Sequence, residues 1–274
     1  MEDARKVPEA QRELWNGSAG EAWVAVQATT DRMFAPLARL LAAEARPGER
    51  VLDVGCGAGA TTRALEVAVQ PGGHATGVDI SQALVEAARE HDTTADFLQA
   101  DAETHPFDPA SVDLVTSRFG VMFFEDPVAA FANLRRATRD GGRLRAVTWR
   151  AQAENPFMTT AATAARTVLP DLPSPPADGP GQFAFADAGR VAGILGDAGW
   201  SAVQHVPIDL ELTMPASGLE IYLTRLGPLS RVLPALEPAQ RDHVVSVVRA
   251  AFDSFVDGDE VRFAVACWMV EAAA

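Results

Sequence analysis

Cysteine is scarce in this chain, and its scarcity excludes two kinds of site. The 274 residues include two cysteines, Cys56 and Cys267, too few for a disulfide framework or a cysteine-rich metal cluster. The five histidines never fall at the short spacings that place two imidazoles on one metal ion. The sequence therefore predicts no metal site and a reducing compartment.

Basic residues and long apolar runs are also in short supply. The 23 basic residues stand against 37 acidic ones, which gives a formal net charge of -14 and disfavours tight binding to nucleic acid or to an anionic membrane surface. No stretch approaches the roughly 20 apolar residues of a membrane helix, and residues 1–13 lack the apolar core of a secretory leader. We therefore expect a cytoplasmic protein with a small-molecule partner, as a monomer or a homodimer.

Apolar residues are plentiful and are arranged in a regular alternation. They make up 48% of the chain, enough for a full core. From residue 50 to residue 149, short apolar runs alternate with segments of helical period, as in parallel strands joined by helices. The sequence therefore predicts a doubly wound α/β sheet in a single domain, 1–274. The predicted strands here are 50–54, 74–79, 95–99, 112–117 and 143–149, and the predicted helices are 60–69, 82–91 and 127–138.

The remaining length is predicted to form helices around this sheet. Residues 8–45 are interpreted as two helices before the first strand, and residues 169–181 as a proline-rich extended connector. The elements predicted after the connector are a helix at 187–198, a strand at 202–212, helices at 217–226 and 238–255, and a last strand at 261–270. Ligand specificity is expected in these additions, because open α/β sheets bind ligands beyond the carboxyl ends of their strands.

The first predicted strand runs directly into a glycine loop. Gly55, Gly57 and Gly59 allow a sharp turn and let a ligand lie against the backbone without an intervening Cβ. With Ala60, the loop also satisfies the G-x-G-x-x-A pattern of NAD enzymes, so the loop alone leaves the cofactor open. Asp53 would be poorly placed beside a pyrophosphate and suits a ligand with an ammonium group and a sulfonium charge.

Acidic residues follow the next two predicted strands. Asp79 can accept hydrogen bonds from both hydroxyls of a ribose, although Asp79 or Ser81 could instead cap the following helix. Asp101 follows the third strand, where the alternative is a plain turn residue. The order of glycine loop, Asp79 and Asp101 is one that a NAD enzyme does not need.

The end of the fourth predicted strand carries a further motif. Beyond Ser117, the side chains of Arg118, Phe119 and Met122 are expected to project toward a ligand, and a guanidinium is seldom buried without a partner. The neighbouring Phe123 and Phe124 are interpreted as ordinary core. A turn, Asp140-Gly141-Gly142, precedes the fifth strand.

Taken in order, these motifs resemble those of the class I S-adenosylmethionine-dependent methyltransferases, over about residues 45 to 150. The segment after the fourth strand is similar to the ubiquinone and menaquinone biosynthesis type, and Leu14 to Gly17 with Trp23 are similar to an N-terminal cover in a bacterial subgroup. The resemblance implies a Rossmann-like sheet of about seven strands, mostly parallel with the last strand antiparallel, with extra N-terminal helices and a helical insertion before the last strand.

The resemblance also implies a cofactor and a division of the chain. Residues 1–45 would cover S-adenosylmethionine, residues 46–150 would bind it, and residues 151–274 would form the acceptor side. In the family, the glycine loop surrounds the amino-acid end of the cofactor, Asp79 binds the ribose, and Asp101 with Ala102 binds the adenine. The expected cofactor contacts are Trp15, Asp53, Gly55, Cys56, Gly57, Gly59, Asp79, Ile80, Asp101, Ala102, Ser117 and Arg118.

The implied reaction is in-line displacement of the methyl group by an oxygen, nitrogen or carbon of a small acceptor, which releases S-adenosylhomocysteine. The expected acceptor is apolar or aromatic, of the secondary-metabolite or quinone type. The expected contacts with it are Phe119, Met122, Trp149, Phe183, Phe185 and Tyr222. No general base is predicted, although His205, His243, Tyr222 and Glu154 could each serve.

Two other functions are compatible with parts of this pattern. A protein of this fold can bind S-adenosylmethionine and act as a cyclase, decarboxylase or pericyclic catalyst that uses the sulfonium charge. A NAD-dependent oxidoreductase would share the glycine loop, but it leaves Asp53, Gly59 and Asp101 unexplained.

Overall fold

The computed structural model describes residues 7–173, 179–227 and 229–274. Residues 1–6 of the expected cover and 174–178 of the expected connector lie outside the described residues. The strands are β1 Arg50–Val54, β2 His74–Asp79, β3 Asp96–Gln99, β4 Val112–Arg118, β5 Thr138–Trp149, β6 Ser201–Pro215, β7 Val256–Asp257 and β8 Glu260–Ala273. The helices are α1 Val7–Trp15, α2 Ser18–Glu44, α3 Ala60–Ala68, α4 Gln82–Arg89, α5 Pro127–Ala137, α6 Phe157–Arg166, α7 Ala188–Asp197, α8 Leu219–Arg225, α9 Leu229–Val232 and α10 Pro238–Ala250.

The strands form one sheet in the order β3-β2-β1-β4-β5-β8-β6, with the short β7 beside β8. Strands β1 to β5 are parallel to one another, and β8 runs antiparallel between β5 and β6. The predicted mixed sheet, with its antiparallel last strand, is confirmed. None of the described helices has the length and apolar character needed to span a bilayer.

The sheet topology places a crevice at one edge. Parallel strands β1, β2 and β4 all end on the same side, which brings Val54, Asp79 and Arg118 to one edge of the sheet. Chain order reverses between β1 and β4, since β2 and β3 lie on one side of β1 and β5 lies beyond β4. Such a switch point is where open α/β sheets bind ligands. The fold therefore concentrates the predicted motifs in one place.

Some boundaries differ from the predicted ones. Strand β5 begins at Thr138, not at residue 143, because Thr138 pairs with Val112 before an irregularity in the β4–β5 register. Helix α6 lies outside the predicted elements, although its alanine- and threonine-rich sequence has a helical period. Its residues Phe157 and Ala165 are buried, so packing against the core holds the helix in place.

Asn155 anchors α6 to the sheet. Its fully buried side chain accepts a hydrogen bond from the backbone nitrogen of Ala266 at 2.9 Å and donates one to the Ala266 carbonyl at 2.9 Å. The amide thus continues the β5–β8 pairing beyond Trp149, and it fixes the start of the helix two residues later. One side chain therefore satisfies both polar backbone groups of a residue in β8.

We expect Asn155→Ala to lower the free energy of unfolding by about 2 kcal/mol, because the buried backbone nitrogen of Ala266 loses its partner, whereas the Ala266 carbonyl still accepts from the Arg150 nitrogen. Urea denaturation monitored by circular dichroism measures the change. Gln152→Ala, an exposed position in the preceding turn, is the control and should change stability by less than about 0.5 kcal/mol. Equal effects of the two substitutions would contradict the anchoring role.

Candidate functional site

The three glycines of the loop differ in what surrounds them. All have positive φ, 67° at Gly55, 54° at Gly57 and 82° at Gly59, a region that disfavours side chains. A Cβ on Gly55 would lie 2.5 Å from the Cα of Gly120, and one on Gly59 would lie 2.6 Å from the ring of Phe97. A Cβ on Gly57 would meet nothing within 4 Å. Gly57 is therefore the loop glycine that borders open space.

Asp53 is buried near the end of β1, and its side chain links α3 to β4. Its side chain accepts hydrogen bonds from Thr62 of α3 at 2.7 Å and from Thr116 of β4 at 3.1 Å. Burial raises the pKa of Asp53 to about 6, against the lowering effects of the two hydroxyl donors and of Arg118. The carboxylate holds α3 and β4 to the end of β1, and so fixes the loop that follows.

Cys56 and Ser117 are also engaged within the protein. The Cys56 side chain packs with Val85 and Phe97, and burial raises the pKa of its thiol well above the ordinary value. The Ser117 hydroxyl donates to the Val54 carbonyl at 2.8 Å and accepts from the Val121 nitrogen at 3.2 Å. Both side chains therefore stabilise the walls of the crevice through contacts inside the protein.

Asp79 joins the glycine loop to the end of β2. Its carboxylate accepts hydrogen bonds from the backbone nitrogens of Gly57 at 2.8 Å and Ser81 at 2.9 Å. Burial raises its pKa, and these backbone donors lower it. The cap of α4 is Ser81, whose hydroxyl accepts from the Leu84 nitrogen. Ser81 is therefore the residue that caps α4, and Asp79 faces the glycine loop.

Asp101 lies at the end of the neighbouring β3. One carboxylate oxygen accepts from the Glu103 nitrogen at 3.0 Å, and the other is 3.9 Å from a guanidinium nitrogen of Arg12. Ala102 is buried, and its carbonyl accepts from the Asn133 amide at 2.9 Å. Asp101 therefore stabilises the turn after β3 with one carboxylate oxygen, while the other oxygen faces the N-terminal helix.

The N-terminal helix lies across these strand ends. The ring of Trp15 contacts Phe123 edge-on, with centroids 5.3 Å apart, and lies 6.5 Å from Trp23. Asn16 donates to the Ile80 carbonyl at 3.1 Å and accepts from the Gln82 nitrogen at 2.9 Å. The turn between α1 and α2 is thus fastened to the end of β2, beside Asp79.

Arg118 lies at the end of β4, next to Phe34, which lines an aromatic pocket. Its guanidinium carbon is 5.3 Å from the centroid of Phe34, a cation–π distance. Its Nη1 atom is buried without a hydrogen-bond partner among the described residues. Burial lowers the pKa of Arg118, while Asp31 and Asp53 raise it. The arrangement leaves one buried donor free for an anionic group.

The pocket beyond Arg118 has mostly aromatic and apolar walls and a volume of about 140 Å³. Phe119 stacks on Trp149 with centroids 4.3 Å apart and planes 9° apart. Phe119 has a φ of 70°, a conformation that costs a side chain about 1–3 kcal/mol and is typical of ligand sites. The walls are Trp23, Phe34, Phe119, Met122, Phe123, Trp149, Phe157, Met158, Ala161, Ala162, Gln182, Tyr222, Leu223, Leu226, Gly227, Leu229 and Phe252.

Four of the six expected acceptor contacts line this pocket, namely Phe119, Met122, Trp149 and Tyr222. Phe185 instead lies in the core, 5.9 Å from Phe131, and Phe183 packs against that core. Gln182 takes the pocket position next to them. Sequence reasoning missed Phe34 and Phe157, which lie on helices at spacings that do not distinguish pocket from core.

Other expectations at the pocket have mixed outcomes. Phe123, interpreted as core, lines the pocket, whereas Phe124 packs on Phe131 in the core. Among the residues considered as a general base, Tyr222 lines the pocket. Glu154 pairs with Arg150, His205 lies beside Trp268, and His243 is exposed on α10.

Comparisons with known proteins agree with this arrangement. A family model described as "Methyltransferase domain" matches residues 52–146. Nocamycin O-methyltransferase from Saccharothrix syringae is 31% identical over 239 residues, which are 77% of this chain and 84% of that protein. Demethylmenaquinone methyltransferase from Renibacterium salmoninarum is 28% identical over 167 residues, 58% of this chain and 69% of that protein.

The structural comparison concerns the fold. The YcgJ protein from Bacillus subtilis superposes with a TM-score of 0.53 at 19% identity, over 88% of this chain and 97% of that chain. Some curated relatives align over less than two thirds of their own length, 35% in one case and 58% in another. The matches over most of both chains therefore carry the comparison.

Proposed function

Because the chain belongs to the class I S-adenosylmethionine-dependent methyltransferases, we propose that it methylates a small apolar or aromatic acceptor of the secondary-metabolite or quinone type. The observation that carries this proposal is the aromatic pocket at the end of β4, whose walls include Phe119 and Trp149. Gly120, which follows Phe119, approaches Gly55 of the glycine loop. The names of two relatives, a nocamycin O-methyltransferase and a demethylmenaquinone methyltransferase, support a small organic acceptor.

Three segments of a single domain have different roles in this reaction. Residues 46–150 hold the cofactor, residues 1–45 cover it, and residues 151–274 provide much of the acceptor side. In support, Trp15 and Asn16 contact residues at the strand ends, and Phe157 and Tyr222 contribute pocket walls from the last part.

The residues at the crevice fit S-adenosylmethionine. The open space at Gly57 gives a ligand access to the loop backbone, and the unpartnered Nη1 of Arg118 suits the carboxylate of its amino-acid end. Asp79 and Asp101 end neighbouring strands, in the order that ribose and adenine require. The residues that would contact it are Trp15, Gly57, Asp79, Ile80, Asp101 and Arg118. The other expected residues are engaged within the protein and would shape the crevice from behind; they are Asp53, Gly55, Cys56, Gly59, Ala102 and Ser117.

When bound, S-adenosylmethionine supplies a methyl group activated by a sulfonium charge. The chain itself contributes alignment and the exclusion of water. Asp79 fixes the ribose through its carboxylate, and Arg118 neutralises the ligand carboxylate. Phe119 and Met122, at the end of β4, hold the acceptor for in-line displacement, and alignment of this kind accounts for a large part of catalysis.

Thermal unfolding with ligands tests the proposal. S-adenosylmethionine or S-adenosylhomocysteine at about 100 times its dissociation constant should add roughly 2.7 kcal/mol of apparent stability, whereas NADH should add none. Transfer of a methyl label from S-adenosylmethionine into extractable products is then measured with a panel of quinones and hydroxylated aromatics. Stabilisation by NADH alone would overturn the cofactor assignment, and consumption of the cofactor without labelled product would favour a non-methylating catalyst.

A further inference from the structure

Tyr222 is held rigidly at the pocket wall. It lies on α8, and its ring centroid is 6.1 Å from that of Phe263, with planes 30° apart. Phe263 is fully buried and stacks on Phe157 at 4.7 Å. Since this aromatic cluster fixes the tyrosine ring, the position of the hydroxyl group is also fixed.

The hydroxyl of Tyr222 makes no hydrogen bond with another residue in the described part of the chain. Burial raises the pKa of Tyr222 to about 12, so the group stays protonated at neutral pH and can donate. Tyr222 is half-buried and lines the pocket, and a tyrosine hydroxyl that a bound molecule cuts off from water needs a hydrogen-bond partner. An oxygen of a ligand in the pocket would supply that partner.

We propose that the Tyr222 hydroxyl donates a hydrogen bond to an oxygen of the methyl acceptor, and that the acceptor is therefore an oxygenated aromatic compound, such as an aromatic ketone or a quinone. This inference rests on the proposed function. The aromatic walls, including the Phe119–Trp149 pair, bind the ring system by apolar contact. Tyr222 selects for the oxygen, because an analogue without it leaves a desolvated hydroxyl unpaired.

A matched pair of probes tests the inference, namely 1-tetralone and tetralin, which share one bicyclic frame with and without a ring carbonyl. Calorimetric titrations are made with S-adenosylhomocysteine at saturation. In the wild type, 1-tetralone should bind about five to ten times more tightly than tetralin, and Tyr222→Phe should remove that preference while tetralin affinity stays within about twofold. Met158→Leu, which alters an apolar wall, should change both affinities together.

Direct spectroscopy complements the titrations. The chain contains one tyrosine, so a tyrosine labelled with ¹³C at the hydroxyl-bearing carbon gives one NMR signal, which 1-tetralone should shift and tetralin should not. An equal loss of both probes in Tyr222→Phe, an unchanged preference, or no binding of either probe would overturn the inference. Binding of S-adenosylhomocysteine is measured first, and its failure would count against the proposed function instead.

Discussion

Asp79→Ala is expected to weaken the binding of S-adenosylhomocysteine by about 100-fold, as measured by isothermal titration calorimetry. The expected loss corresponds to two charge-assisted hydrogen bonds from ribose hydroxyls, each worth about 1.5 kcal/mol. The carboxylate is well placed for this role, because backbone donors at Gly57 and Ser81 hold it at the end of β2.

Loss of the loop contact must be separated from loss of the ribose contact. Asp79 also accepts from the Gly57 nitrogen, so its removal could loosen the loop and weaken all ligands. A 2′,3′-dideoxyribose analogue of S-adenosylhomocysteine separates the two effects, because its affinity should differ little between the wild type and Asp79→Ala. Equal weakening of both ligands would contradict ribose recognition. Asp92→Ala, at an exposed turn, is the matched control and should bind both ligands as the wild type does.

Gly120→Ala is expected to lower the free energy of unfolding by about 1 to 3 kcal/mol and to impair cofactor binding as well. A Cβ at this position would lie 2.6 Å from the Cα of Gly55 and 2.7 Å from the Val54 carbonyl oxygen. Both are backbone atoms, which cannot rotate away. The substitution therefore forces the end of β4, with Phe119 and Met122, away from the glycine loop.

Gly193→Ala provides a control of opposite sign. Gly193 lies in α7, is exposed, and has open space where a Cβ would be. Alanine there should raise stability by about 0.5–1 kcal/mol, because glycine in a helix loses more conformational entropy on folding. Urea denaturation and titration with S-adenosylhomocysteine are compared for both variants. A Gly120→Ala protein with wild-type stability and affinity would show that the close approach is unimportant.

The sequence predicts the parts of the site that depend on strand ends. Glycine spacing after β1, and acidic residues after β2 and β3, are local features, and parallel pairing brings the carboxyl ends of these strands together. The apolar alternation likewise predicts the sheet. These features follow from spacing alone, so the positions of Gly57, Asp79 and Asp101 could be anticipated without coordinates.

Features that depend on packing between distant segments could not be predicted. Whether an aromatic side chain faces the core or the pocket depends on its tertiary surroundings, so the sequence predicts Phe185 at the pocket, although it packs on Phe131 in the core. The role of Gly120 depends on a backbone contact with Gly55. The local sequence around Gly120 does not predict this contact. The dual engagement of the Ser117 hydroxyl is equally non-local.

The position of β8 in the sheet has a consequence for the order of assembly during synthesis. Strands β1 to β5 pair with one another, so their pairing requires no residue beyond 149. Within the described residues, β6 pairs only with β8, which is translated 45 residues after β6 ends. Until then, the edge of β6 is open to aberrant association. The five parallel strands therefore complete their pairing before the strand that joins β6 to the sheet has been made.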